Sequence, residues 1–81
     1  MKTKKIFLKL IGNNKDAYLV QNSKGERFWI PNSQVFAINY EYKFPRKHEI
    51  KIDNYRDMNR FKSKFLEFEI GAWFAEKVGI C

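Results

Sequence analysis

The sequence predicts a mainly β protein. Five or six short antiparallel strands should roll into a small OB-like barrel or a strongly bent sheet, with one short helix at the C-terminal end. Three observations predict this. Short runs alternate apolar with polar side chains, and Gly, Asn and Ser clusters separate them. Aromatic residues make up 17% of the 81 positions, enough bulky surface to close a small core. Only the last segment, Ala72 to Val78, carries a helical pattern, and Gly79 follows it as a left-handed cap.

The strands follow in order. Lys4 to Ile11 places Ile6, Leu8 and Leu10 on one side and Lys5, Phe7, Lys9 and Ile11 on the other. Gly12 to Asp16 reads as a turn, and Ala17 to Gln21 as a second strand, antiparallel because the connection is short. Asn22 to Glu26 is a hairpin loop with Gly25 at the left-handed position, and Arg27 to Ile30 is strand three. Pro31 has no amide donor and ends that ladder, while Asn32-Ser33-Gln34 suits a tight helical turn before Val35 to Tyr40 resumes as a strand. Ser33 and Gln34 are read as bonding that turn.

Beyond Tyr40 the alternation breaks, so Glu41 to Lys47 is expected to be a loop or bend with exposed aromatics. His48 to Ile52 alternates again. Asp53 to Lys62 lacks an apolar stripe and reads as a mobile loop or one helical turn. Lys64 to Ile70 is the final strand, with Leu66, Phe68 and Ile70 inward and Glu67 and Glu69 toward water. Trp29 and Trp73 are assigned to the core, with Trp73 or Phe74 anchoring the helix and Ile80 folding back on it.

A chain this short makes one domain, residues 1–81, carrying a basic loop insert at about 41–62. Its lone cysteine, Cys81, fits a reducing compartment, and no stretch resembles a signal peptide or a membrane span. A cytoplasmic location is therefore expected. Sixteen Lys and Arg against nine Asp and Glu leave a formal net charge of +7, which suits nucleic acid or an acidic protein surface as partner. The plainer reading of that excess is solubility.

Two stretches carry a resemblance. Glu26 to Gln34, with Trp29-Ile30-Pro31-Asn32-Ser33-Gln34, and Glu69 to Ile80, with Trp73-Phe74-Ala75-Glu76-Lys77-Val78-Gly79-Ile80, look like short uncharacterised proteins of phages and prokaryotic mobile elements. Those proteins have a strand ending Trp-Ile/Leu-Pro-x-Ser-Gln and a terminal Trp-Phe/Leu-Ala-Glu-Lys-x-Gly-Ile/Leu. The resemblance implies a small barrel of phage-like origin, in the cytoplasm of the host cell if so encoded, and supplies no catalytic residue. Gly71 stands where that pattern has proline, and the segment from Tyr40 to Lys62 is longer than in the pattern.

The inventory argues against catalysis. His48 is the only histidine, the four glycines stand singly, and no zinc set, Ser-His-Asp constellation or phosphate loop can be assembled. Asp53 with Asp57, or Glu67 with Glu69, are the pairs available to a Mg²⁺-dependent nuclease, and a solvated face is the ordinary explanation of the second pair. No enzyme activity, metal or cofactor is expected. The basic clusters are more informative. Lys2, Lys4, Lys5, Lys9 and Lys15 stand without an acid among residues 1–15. Residues 42–64 interleave Tyr42, Phe44, Tyr55 and Phe61 with Lys43, Arg46, Lys47, Lys51, Arg56, Arg60, Lys62 and Lys64, against Glu49, Asp53 and Asp57. Cations that follow a phosphate backbone beside rings that stack on bases make a surface for nucleic acid, single-stranded in preference. The candidate binding residues are Tyr42, Lys43, Arg46, Lys47, Lys51, Tyr55, Arg56, Arg60 and Lys62. The alternative use of the same surface is to grip an acidic face of a host defence protein, as an anti-CRISPR-like inhibitor would, with Tyr and Arg as anchors. A monomer or weak dimer is expected, with no membrane partner.

Overall fold

A computed structural model describes residues 2–43 and 45–80; Phe44 and Cys81, both named above, lie outside the described residues. The chain forms one mainly β unit with six antiparallel strands and two short helices. The strands are β1 (Thr3–Asn13), β2 (Ala17–Gln21), β3 (Arg27–Pro31), β4 (Val35–Lys43), β5 (Arg46–Ile50) and β6 (Phe65–Gly71), and the helices are α1 (Tyr55–Phe61) and α2 (Ala72–Val78). They join one sheet in the order β3-β2-β1-β6-β4-β5. Among the described residues β3 and β5 are therefore open edges, and of the two expected geometries the chain takes the bent sheet.

The bend begins in β1. Its first part pairs with β6 from Thr3 to Lys9, its last part pairs with β2 from Lys9 to Asn13, and Lys9 alone belongs to both ladders. Irregular register between Leu10 and Gly12, Val35 and Ala37, and Glu41 and Lys43 bends the sheet further, as extra residues in one strand do. The middle bulge lets Val35 and Ile38, three residues apart, both face the core. Tyr18 of β2 then meets Phe68 of β6 edge to face, with ring centroids 6.2 Å apart.

The concave face holds the core. Leu8, Leu10, Val20, Ile30, Ile38, Ile50, Leu66, Phe68 and Ile70 are buried there, joined by Ile52, by Met58 and Phe61 of α1, and by Ala75 and Ile80 at α2. Asn32–Gln34 forms the expected tight turn, a single 3-10 turn tied back when the Asn32 side-chain amide donates to the Lys15 carbonyl at 3.0 Å. Gln34 then lies against Gly71, where any added Cβ would collide with its amide oxygen, so the two resemblance stretches meet in space. Gly79 has φ 72° and caps α2, and Gly25 has φ 87° in the β2–β3 loop, both as the sequence requires.

Five expectations need correction. Trp29 is not in the core: Phe28 and Ile30 point inward opposite Val20 and Tyr18, so the residue between them must point out, and it is 52% exposed. Trp73 does not anchor α2 either. Ala75 is buried and Phe74 packs against the core, which leaves the indole outside under the Lys77 ammonium at 4.9 Å. Of the loop or bend expected at Glu41 to Lys47, the loop is replaced by paired strands that close a hairpin, with Lys43 opposite Arg46. Residues 53–62 are not a mobile loop or one turn. They hold two turns of helix, where Asn54 Oδ1 accepts from the Asp57 amide at 2.9 Å, and Asp57 and Arg60 complement the helix dipole at its two ends. Finally, Glu67 faces away from the core as expected but is only 6% exposed, covered by its neighbours.

Candidate nucleic-acid interface

The β4–β5 hairpin sets the geometry. Its register puts Tyr40 opposite His48, and the bulge at Tyr42 turns a second ring toward the same histidine. Tyr42 and His48 have centroids 5.2 Å apart, His48 and Tyr40 6.0 Å, and Tyr40 and Phe61 5.5 Å. Four rings thus run without a break from the hairpin to the end of α1. Two cations lie along them: the Lys64 ammonium is 5.3 Å from the Tyr40 ring and 5.9 Å from Phe61, and the Arg60 guanidinium is 5.3 Å from Phe61. Phe61 is buried and holds the inner end, whereas Tyr42 is 56% exposed and offers its face to solvent.

Of the nine candidate residues, Tyr42 and Arg60 belong to this row of rings. Lys43 and Arg46 flank the hairpin turn, Lys51 lies in the segment from β5 to α1, and Lys62 caps the end of α1. Arg56 and Arg60, four apart on α1, lie on neighbouring turns of one side. Lys43, Arg46, Lys51, Arg56, Arg60 and Lys62 are exposed and form no ion pair among the described residues. These unneutralised charges are what a phosphate chain would meet.

Two candidates are set apart. Lys47 projects to the convex face, where its ammonium donates to both carboxylate oxygens of Glu67 at 3.0 Å, with the Asn39 amide at 3.5 Å from the same carboxylate. Its task is to neutralise a covered acid. Tyr55 opens α1 at the end away from Phe61, beside a groove of about 430 Å³ lined also by Asn13, Asn14, Lys15, Tyr18 and Asn32. Three of the groove's asparagines are already engaged: Asn14 Oδ1 accepts from the Asp16 and Ala17 amides, Asn32 donates to the Lys15 carbonyl, and Asn54 caps α1. Burial, and then the nearby Asp53 carboxylate, raise the Tyr18 hydroxyl above its usual pKa.

Phe61 and Lys64 are named in the basic aromatic segment but not as candidates, and Tyr40 and His48 are the members of this surface that sequence reasoning passed over. Their signal is the pairing of Tyr40 with His48, which becomes visible only once 41–47 is understood as a hairpin. Among the described residues no three of His, Cys, Asp and Glu gather where a metal ion could sit, and no helix is long and apolar enough to cross a membrane. No family model, curated protein or solved structure matches the chain.

Proposed function

We propose that this protein acts by binding single-stranded nucleic acid along the β4–β5 hairpin and α1. The observation that carries the reading is the row Tyr42, His48, Tyr40 and Phe61 with Arg60 and Lys64 on its rings and unpaired cations on either side. Rings accept bases of any sequence, and the cations follow the backbone, so affinity should depend strongly on salt and weakly on sequence.

The test is fluorescence anisotropy of a labelled oligothymidylate over a salt series. The triple variant Arg56→Ala, Arg60→Ala, Lys62→Ala should weaken binding at every salt concentration and flatten the slope of log affinity against log salt by about 2, the counterion release of three phosphate contacts to a single strand. Absence of binding by the parent chain at micromolar concentration and low salt would end the reading. Co-purification with a cellular protein under those conditions would favour the inhibitor described above.

A further inference from the structure

Both helices send their buried residues into the concave core, so neither covers the convex face of the sheet. That face should be polar in a small soluble sheet with one side packed. Instead Phe7 on β1 and Phe65 on β6 stand on it, 47% and 52% exposed, with Trp29 beyond them on β3. β1 and β6 are the two central strands. Phe7 is opposite Glu67 and Phe65 is opposite Lys9, so the two phenyl rings are diagonal neighbours on adjacent strands. Large apolar rings left uncovered in the middle of a sheet mark a binding surface.

On β1, β2 and β3 the charges of this face are of one sign. Lys5 and Lys9 flank Phe7 along β1, and Arg27 lies two strands over from Lys9 through Gln21. The outward positions of β1, β2 and β3 carry no acid. Of the two acids of β6 on this face, Glu67 is neutralised by Lys47, and Glu69, across the ladder from Lys5, accepts a hydrogen bond from the Thr3 hydroxyl at 2.8 Å. A second copy of the chain docked by a two-fold axis on this patch would bring two sets of Lys5, Lys9 and Arg27 into one interface. A polyanion with flat apolar groups adds no cations to it.

We propose that the convex face is a base-stacking platform, on which Phe7 and Phe65 each take one base of a single strand, Trp29 takes a further one, and Lys5, Lys9 and Arg27 hold the phosphates. Aromatic rings on the central strands of an open sheet are a recurrent way to hold unpaired bases. This inference rests on the nucleic-acid reading above but uses a different surface, so the two can fail separately.

The experiment uses the full chain with Trp73→Phe, which leaves Trp29 as the only indole, titrated with oligothymidylate while anisotropy and tryptophan emission are followed together. Binding should quench Trp29. Phe7→Leu and Phe65→Leu, which keep the apolar volume without the flat ring, should each weaken binding roughly 5- to 150-fold, the range of base–aromatic stacking. Both variants are checked for an unchanged circular dichroism spectrum. The Arg56, Arg60, Lys62 variant should weaken binding yet still quench Trp29 at saturation. Binding with Trp29 unquenched and both leucine variants at parent affinity would overturn the platform while leaving the hairpin surface standing. No binding by the parent removes both. A dimer that Phe65→Leu dissociates would overturn it too, by assigning the face to a second copy.

Discussion

Strand β6 shows two environments one residue apart. Leu66, Phe68 and Ile70 are fully buried in the concave core, while Phe65 is half exposed and Glu67 and Glu69 need specific partners to occupy the convex side. On one face the side chains hold one another; on the other they are held by single contacts or left open. The comparison teaches that close packing and open exposure are divided between the two sides of this strand, and that a substitution's effect should follow its parity along it.

The hardest break comes from the concave side. Phe68→Ala should cost about 3–5 kcal/mol, because a fully buried ring in a small core leaves a cavity its neighbours cannot fill. A urea midpoint shifted by less than a third of that would show the face to be loosely packed. Next comes the one convex position where burial matters. Lys47→Ala strips Glu67 of its ammonium and should destabilise by about 1–3 kcal/mol, toward the lower end because the lysine is itself part exposed. The double variant Lys47→Ala, Glu67→Gln should recover part of the loss, and no recovery would mean that the pair does not hold the carboxylate.

The smallest effect is a pH dependence. Tyr18 keeps its proton more tightly in the fold than in the unfolded chain, so its contribution is complete below the ordinary value of 10.0 and is lost as pH rises through the higher folded value. Denaturation midpoints followed from about pH 9 to about pH 11 should fall less steeply for Tyr18→Phe than for the parent, since phenylalanine has no proton to lose. Equal slopes would place the hydroxyl in water.

How much of this was legible depended on how far each signal reached. The mainly β class, the 3-10 turn and α2 were readable because each rests on a local cue: alternation, Pro31 before Asn-Ser-Gln, and Gly79 after a seven-residue helix. The α1 helix was not, because it buries only Met58 and Phe61, three apart, and two apolar positions do not make a stripe. The β4–β5 hairpin was hidden by Pro45 and a run of charged residues that suit a loop as well as an exposed edge. Trp29 was misjudged because its size suggested burial while its place between Phe28 and Ile30 required the opposite; parity is the better guide when the two conflict. The basic character of the insert was plain from composition, but which cations meet rings depended on a bulge and a register that no window of sequence displays.

The sheet's two ends are unlike, and this bears on how the molecule behaves when crowded. The β5 edge shows Arg46, Lys47, His48 and Glu49 in succession, a polar row that disfavours an incoming strand. The β3 edge is Arg27-Phe28-Trp29-Ile30-Pro31, short and apolar, with its last residue lacking a donor. Growth by strand addition is therefore favoured at the β3 end. Two molecules joined β3 to β3 would carry β5 at each outer end, so the edges left open in such a pair are the ones less suited to adding a further strand.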